Sequence, residues 1–485
     1  MNRSLRPAAS RVALAALAPL VAAGGCANVA EDLRDDHARV GADFERRAGM
    51  PAPVRPDAPD DGGVAAASRE LLEDGLTEDE AVRVALLDHR GLRAELAELG
   101  VARAALARAA LPPNPVLTAN AKFFDGGTEV ELGLAQSLLE LVLLPVRREI
   151  AGARRAEVEA AVTRTLVHHV FDVRRAFADA LAAERIVEVV SREVEAADAA
   201  GDLMRTLHAA GNATDPERTA LEAGAARARL GLSEAQSAAF EAREHLNALL
   251  GLWGDATTWR VVGAESAAAP PDPRLAHVES RAVEASLDLA AQRARVAAAA
   301  RRAGVRDWEA ILAPAGAGVA VKRESGDDWG AGPAGSIALP LWDRGEASSV
   351  EARALLEREL DLQVQLAVEI RAAARALRER ARSSADRARH AREVALPLQA
   401  RLVRETIQNY NAMQVGAFPV LAARAGELAA ERHALELERD ARRARLDLEE
   451  LLAGSLARER VEARAQPPAA PQPARADGPA GGHSP

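Results

Sequence analysis

The sequence predicts a mostly α-helical protein of long antiparallel coiled-coil helices, with a small β part of four strands, the whole written twice. Three observations predict it. The strong helix formers alanine, leucine, arginine and glutamate crowd a 485-residue chain that is 48% hydrophobic yet only 3% aromatic. Two stretches, from Pro145 to Gly211 and from Glu346 to Met413, run without a proline or glycine cluster. The order of elements also recurs after about 200 residues, too long a period for a solenoid and right for a duplicated domain-sized unit.

Composition narrows the function classes. A single cysteine excludes an intramolecular disulfide framework and a cysteine-based zinc finger. A net charge of −10 argues against wholesale nucleic-acid binding. Nearly all the basic residues are arginine; Lys122 and Lys322 are the only lysines.

The first 25 residues read as a signal peptide. Arg3, Arg6 and Arg11 precede the apolar stretch Val12 to Ala23, which ends in Gly24-Gly25. That stretch is too short for a bilayer, and no other segment is long and apolar enough for a membrane helix. The lone cysteine, Cys26, follows the small residues directly. This resembles a lipoprotein signal, with Cys26 the lipidated first residue; an ordinary signal peptide with an incidental cysteine is the alternative. Residues 26–75 turn to Asp, Pro and Gly and are expected to form a lipid-anchored extension that does not order itself. Residues 456–485 are expected to be a disordered tail.

Between them lie two units, 76–255 and 273–455, joined by a linker over 256–272. In the first, Thr77 and Glu80 make a capping box before the helical run Ala81, Val84, Ala85, Leu92, Leu96, Leu99, which stops at Pro112-Pro113. Strands are expected at about 115–137. Thr118, Asn120 and Lys122 alternate against Leu117, Ala119, Ala121 and Phe123, and beyond the turn Asp125-Gly-Gly, Val130, Leu132 and Leu134 alternate against Glu129 and Glu131. The second unit repeats this at about 315–341, with Ala317, Val319, Val321, then Ile337, Leu339, Leu341. Strands of about 9–11 residues have the length a tilted strand needs to cross a bilayer. Four strands leave two open edges, which lipid does not tolerate, so copies must associate to close a barrel.

After each strand pair comes a helix of about 64 residues, roughly 95 Å. Leu360 to Ile370 alternate like a strand, but helix formers flank them without a turn residue, and helix is the expectation. Gly211 and Gly416 sit at equivalent places, each ending a long helix, and glycine there suits the left-handed backbone of a tight turn. Asp215, Glu217 and Arg218 open one return helix; Phe418 and Val420 open the other.

Several patterns are decoys. Gly330-Ala-Gly-Pro-Ala-Gly335 matches a dinucleotide fingerprint but contains Pro333 and opens no helix. His168 and His169 are adjacent on a helix and cannot both ligate one metal. No catalytic constellation is present, so no enzyme, cofactor or metal site is expected.

Four stretches carry a resemblance: Leu76-Thr-Glu-Asp-Glu-Ala-Val-Arg-Val-Ala-Leu, Leu111-Pro-Pro-Asn-Pro, Leu339-Pro-Leu-Trp-Asp-Arg-Gly and Tyr410-Asn-Ala-Met-Gln-Val-Gly-Ala-Phe. In order and spacing, 76–455 resembles the TolC-like outer-membrane efflux protein family, lipoprotein type. The resemblance implies a homotrimer with a 12-stranded transmembrane barrel continuous with an α-helical barrel. It implies an outer-membrane duct, its long helical part in the periplasm, that expels drugs or metal ions with a periplasmic adaptor and an inner-membrane pump. Gly211, Asp215, Gly416 and Phe418 then belong to the periplasmic tip that meets the adaptor. Where relatives often carry gate carboxylates, this chain has Phe418-Pro-Val-Leu-Ala-Ala, and Phe123, Phe124, Trp329 and Trp342 would form a thin aromatic girdle. A protein-secretion duct and a lipid-anchored periplasmic coiled-coil protein are the alternatives.

Overall fold

The computed structural model describes residues 29–53, 63–73, 75–125, 127–263, 277–312, 315–324, 328–337 and 345–456. The signal peptide, Cys26, Leu339, Leu341, Trp342 and the tail from 457 lie outside them. In chain order the helices are α1 (Val29–Ala48), α2 (Gly63–Glu73), α3 (Glu78–Asp88) and α4 (Arg90–Ala110), followed by strands β1 (Val116–Phe124) and β2 (Gly127–Ser137). Then come α5 (Leu138–Val142), α6 (Leu144–Ala209), α7 (Asp215–Leu250), α8 (Val278–Ala285) and α9 (Leu287–Leu312). Strands β3 (Gly316–Arg323) and β4 (Gly330–Ser336) precede α10 (Glu346–His390), α11 (Leu396–Asn411) and α12 (Ala417–Ala453).

The chain packs as two units. The first draws on Met1–Pro59, Arg90–Thr163 and Ala290–Val364, the second on Asp60–His89, Arg164–Leu289 and Gln365–Pro485. The first contains the sheet. Its strands run β1-β2-β3-β4, every neighbour antiparallel. In the second unit Val278, Ala282, Leu289, Leu366, Ile370, Leu448 and Leu451 form a buried apolar cluster that Leu456 completes.

The duplication is visible in the backbone. Helix α3 starts on the expected capping box, the Thr77 amide donating to Glu80 Oε2 at 2.9 Å. The helix does not run on to Pro112, however. It breaks at His89, and the second half breaks at the matching Ser286, each residue being extended between two helices. Helices α7 and α12 likewise end at equivalent residues, Gly251 and Gly454, both left-handed.

Other expectations need correction. Residues 29–48 are a helix, not a tether: Val40, Phe44 and Ala48 are buried, and α1 packs on α4. The Asp/Pro/Gly-rich composition begins only at Gly49, and α1 itself carries a helical apolar stripe that it buries. The 256–272 linker starts later than expected. Trp259 is buried, its Nε1–H donating to Asn247 Oδ1 at 2.8 Å, and Val261 bridges to Leu76. The second long helix is interrupted by a π-helical turn at Ala391–Ala395, one residue before Leu396-Pro397. Proline has no N–H to give and its ring crowds the preceding carbonyls, and a widened turn accommodates both.

The last strand starts earlier than expected. The run Ile337, Leu339, Leu341 was expected to be the strand, yet β4 is Gly330–Ser336, the glycine run itself. It is an edge strand, so Pro333 costs no ladder bond on its open side. Strands β3 and β4 have 8 and 7 residues, shorter than expected. Close approach explains one glycine in β3. A Cβ on Gly318 would sit 2.2 Å from the Leu134 carbonyl oxygen, whereas one on Gly332 would meet nothing within 4 Å. Gly318→Val is therefore expected to force β2 from β3 and to cost about 3 kcal/mol or more. Thermal unfolding should register that loss, with Gly332→Ala as the near-neutral control.

Candidate functional site

Antiparallel register divides the sheet into two chemically distinct faces. Leu117, Ala119, Ala121 and Phe123 of β1 lie in rows with Val130, Leu132 and Leu134 of β2 and with Val319 and Val321 of β3. That face is apolar. Among the described residues no helix covers it: Leu117 is 72% exposed, Phe123 80% and Val319 54%. The other face carries Thr118, Asn120, Lys122, Glu129, Glu131 and Lys322. Both lysines reach one carboxylate, Lys322 Nζ lying 3.2 Å and Lys122 Nζ 3.5 Å from Glu129 Oε1. Among the described residues β1 and β4 each pair on one side only, so the sheet has two open edges.

The first unit also holds a clamp that sequence reasoning missed. Asp36 of α1 is fully buried and accepts hydrogen bonds from Arg103 of α4 (Nε, 2.7 Å) and Arg155 of α6 (Nη1, 3.0 Å), with Arg39 as a third partner. Burial pushes its carboxyl up, but the Arg103 hydrogen bond and the three guanidinium charges outweigh burial and leave the pKa below the usual range. Arg39 also reaches Glu159 at 2.9 Å. The pairs Asp36–Arg155 and Arg39–Glu159 run in the same direction, so α1 lies parallel to the start of α6.

In the second unit α6 and α12 share a buried polar cluster. Arg175 lies 3.1 Å from Asp447, 2.7 Å from Glu450 and 2.8 Å from Asp172. His168 Nδ1 is 2.5 Å from Glu450 Oε1, and Ser455 Oγ donates to the same oxygen at 3.0 Å. The adjacent His169 points elsewhere, its ring 4.4 Å from that of His89. The two histidines therefore diverge, as adjacent helical positions must. Burial pushes His169 down to about 4, and the His89 ring beside it adds to the effect. Unfolded, the imidazole titrates near 6.5. It is neutral in both states above that pH; as pH falls from 6.5 toward 4 only the unfolded chain takes up the proton, so stability is lost in that window, on the order of 3 kcal/mol. His169→Leu is expected to flatten the decline of the thermal midpoint between pH 6.5 and 4.

The expected tip residues fall in two turns of different construction. Gly211 ends α6 left-handed, at φ 77°, as its sequence position implied. Asp215 begins α7 exposed and pairs with His208 at 3.0 Å and Arg218 at 3.1 Å. The second turn departs from expectation. Gly416 is not left-handed but extended, the N-cap of α12. The left-handed residue is Met413, at φ 58° and 95% exposed. Gly416 thus carries no conformational demand, and a Cβ there would meet nothing within 4 Å. Phe418, in the first turn of α12, is 39% exposed.

Among the described residues no helix is long and apolar enough to cross a membrane, and no His, Cys, Asp or Glu group could hold a metal ion. No family profile and no curated relative matches the sequence. Solved structures do match in fold. The outer-membrane protein VceC of Vibrio cholerae aligns with 78% of this chain and 96% of its own at 16% identity, TM-score 0.64. The Campylobacter jejuni outer-membrane channel CmeC aligns over 78% and 86% at 13% identity, TM-score 0.64. The open state of the Neisseria gonorrhoeae outer-membrane channel MtrE aligns over 78% and 89% at 16% identity, TM-score 0.58. The chain has the fold of the TolC-like outer-membrane efflux channels, the fold that the sequence resemblance implied.

Proposed function

We propose that the chain is the outer-membrane channel of a tripartite efflux system, exporting small molecules such as drugs or metal ions from the periplasm. One observation carries the reading: a four-stranded sheet whose apolar face is bare and whose two edges are open. In water such a face is a liability; in lipid, closed by copies of itself, it is a barrel wall. Three copies would supply twelve strands, with the apolar face toward lipid and the polar face toward the lumen. Further support comes from exposed apolar stripes on the long helices, Leu360, Val364 and Val368 on α10 and Val394, Leu398 and Leu402 from the π turn into α11, which suit lateral packing of neighbouring copies. The turns around Gly211 and Asp215, and around Gly416 and Phe418, are then the periplasmic tip that meets an adaptor and pump.

Cys26 is the proposed lipid-attachment residue, only three positions before α1 begins. The parallel register of α1 with α6 puts the start of α1 about one helical turn into α6, near the strand-to-helix junction, where a membrane surface belongs on this reading.

The experiment is fractionation of the full-length chain and of Cys26→Ser. A channel stays in the outer-membrane fraction through high salt and urea even without the lipid, and runs as a trimer in detergent. Release of Cys26→Ser by urea would favour a periplasmic protein held only by its anchor. Mass spectrometry of the mature N-terminus should find an acylated cysteine.

A further inference from the structure

The polar face of the sheet is uneven along its length. Two successive rows beside the hairpin turns hold every charge on it: Lys122 opposite Glu129, then Glu131 opposite Lys322. Rows farther from the turns carry no charge: β1 contributes Thr118 and Val116, and the other strands only Gly133, Ala135, Gly318, Ala320, Gly332 and Ala334, which project almost nothing. The opposite face carries one charge on its strands, Arg323, stacked 5.9 Å from the Trp329 ring. The long polar side chains of this face, Asn120 with the two lysines and two glutamates, are therefore concentrated at the level that bears the charge.

The choice of cation at this level is specific. The chain uses arginine as its basic residue almost everywhere, and its only two lysines stand here, both reaching Glu129. Arginine offers a planar fork that locks onto a carboxylate in two hydrogen bonds. Lysine is a compact, strongly hydrated charge on a flexible stem, able to exchange partners with passing ions. Lys322 does hold two partners at once, lying 2.9 Å from Glu324 as well. Glu131 makes no ion pair among the described residues, and Asp125 and Asp328 stand in or beside the turns. Acidic groups thus outnumber the two lysines at this end of the sheet.

We propose that Lys122, Glu129, Glu131 and Lys322 form a charge-selective exit ring that favours cationic solutes over anionic ones; the inference rests on the channel reading. Both strand pairs leave and re-enter helices at the same end, so the hairpin turns, with these rows, lie at the end away from the helices. In a closed barrel the ring repeats in each copy around the aqueous bore, where fixed charges act over about a Debye length of 8 Å before salt screens them. The return helix α12, by contrast, opens with Phe418-Pro-Val-Leu-Ala-Ala and brings no charge of its own until Arg424.

The test is reversal potential across planar bilayers holding the purified full-length protein, in a tenfold KCl gradient with K⁺ and Cl⁻ as probes. The wild type is expected to prefer K⁺. Glu131→Lys should reverse the sign of the potential, Glu131→Gln should reduce it, and Lys122→Gln should increase it. Arg323→Gln, on the other face, should leave it unchanged. If Glu131→Gln and Lys122→Gln both conduct with the wild-type potential, the ring is overturned while the channel reading stands. A wild-type protein that never conducts would sink the channel reading first, and the ring with it.

Discussion

Replacing Arg175 with alanine is expected to lower the stability of the folded chain by about 3–5 kcal/mol, the cost of stranding a buried charge by removing its partner. Three carboxylates depend on this guanidinium. The side chains of Asp447 and Glu450 are 8% and 2% exposed, and Asp172 lies one helical turn before Arg175 on α6. Water cannot replace the lost partner at that depth. His168 and Ser455 still donate to Glu450, so the cluster is crippled rather than emptied. The structural consequence is a loosened α6–α12 contact. A double-mutant cycle separates this from ordinary loss of packing: Glu450→Ala alone should also destabilise, and the double variant should cost less than the two single losses together. If the costs simply add, Arg175 and Glu450 do not act as a pair.

The sequence made the helices, the hairpins and the duplication legible because each rests on local pattern. Alternation around Asp125-Gly-Gly and the long runs free of breakers needed no tertiary knowledge. What misled was pattern shared between two faces or two causes. Leu360 to Ile370 alternate like a strand because α10 is apolar on two sides: Leu366 and Ile370 face the core, while Leu360, Val364 and Val368 stand exposed. Strand β4 was expected only from Ile337 on, because Gly330 to Gly335 lacks the apolar alternation of a strand, but an edge strand tolerates both glycine and proline. Helix α1 was hidden by averaging. Its neighbours from Gly49 onward are rich in Pro, Asp and Gly, and the Asp36 clamp depends on Arg103 and Arg155, far away in the chain. The two helix-to-helix turns fall where the glycines placed them, but they do not share one construction. Two glycines in equivalent places suggested two left-handed turns, whereas the second turn puts the strain on Met413. Distant ion pairs and the identity of a strained residue are tertiary facts, and no window of sequence contains them.

Leu132→Arg is expected to reduce outer-membrane assembly sharply where Glu131→Arg, one residue away, is tolerated. The two positions are adjacent in β2 yet lie on opposite faces. Leu132 shares its row with Ala119 and Val321 on the bare apolar face, and Glu131 shares its row with Asn120 and Lys322 on the polar one. Strand β2 has 11 residues, and Leu132 is its sixth, so on the channel reading its side chain meets lipid near the bilayer midplane. Arginine there costs about 2–4 kcal/mol in each copy. A closed trimer carries that cost three times over, enough to shift assembly decisively in a protein held together by marginal free energies. Arginine at 131 meets the aqueous side and costs little. The readout is the amount of heat-modifiable trimer in purified outer membranes, normalised to total expression. Equal accumulation of the two variants would mean that this face never meets lipid, and the bare sheet would then have to be covered by protein instead.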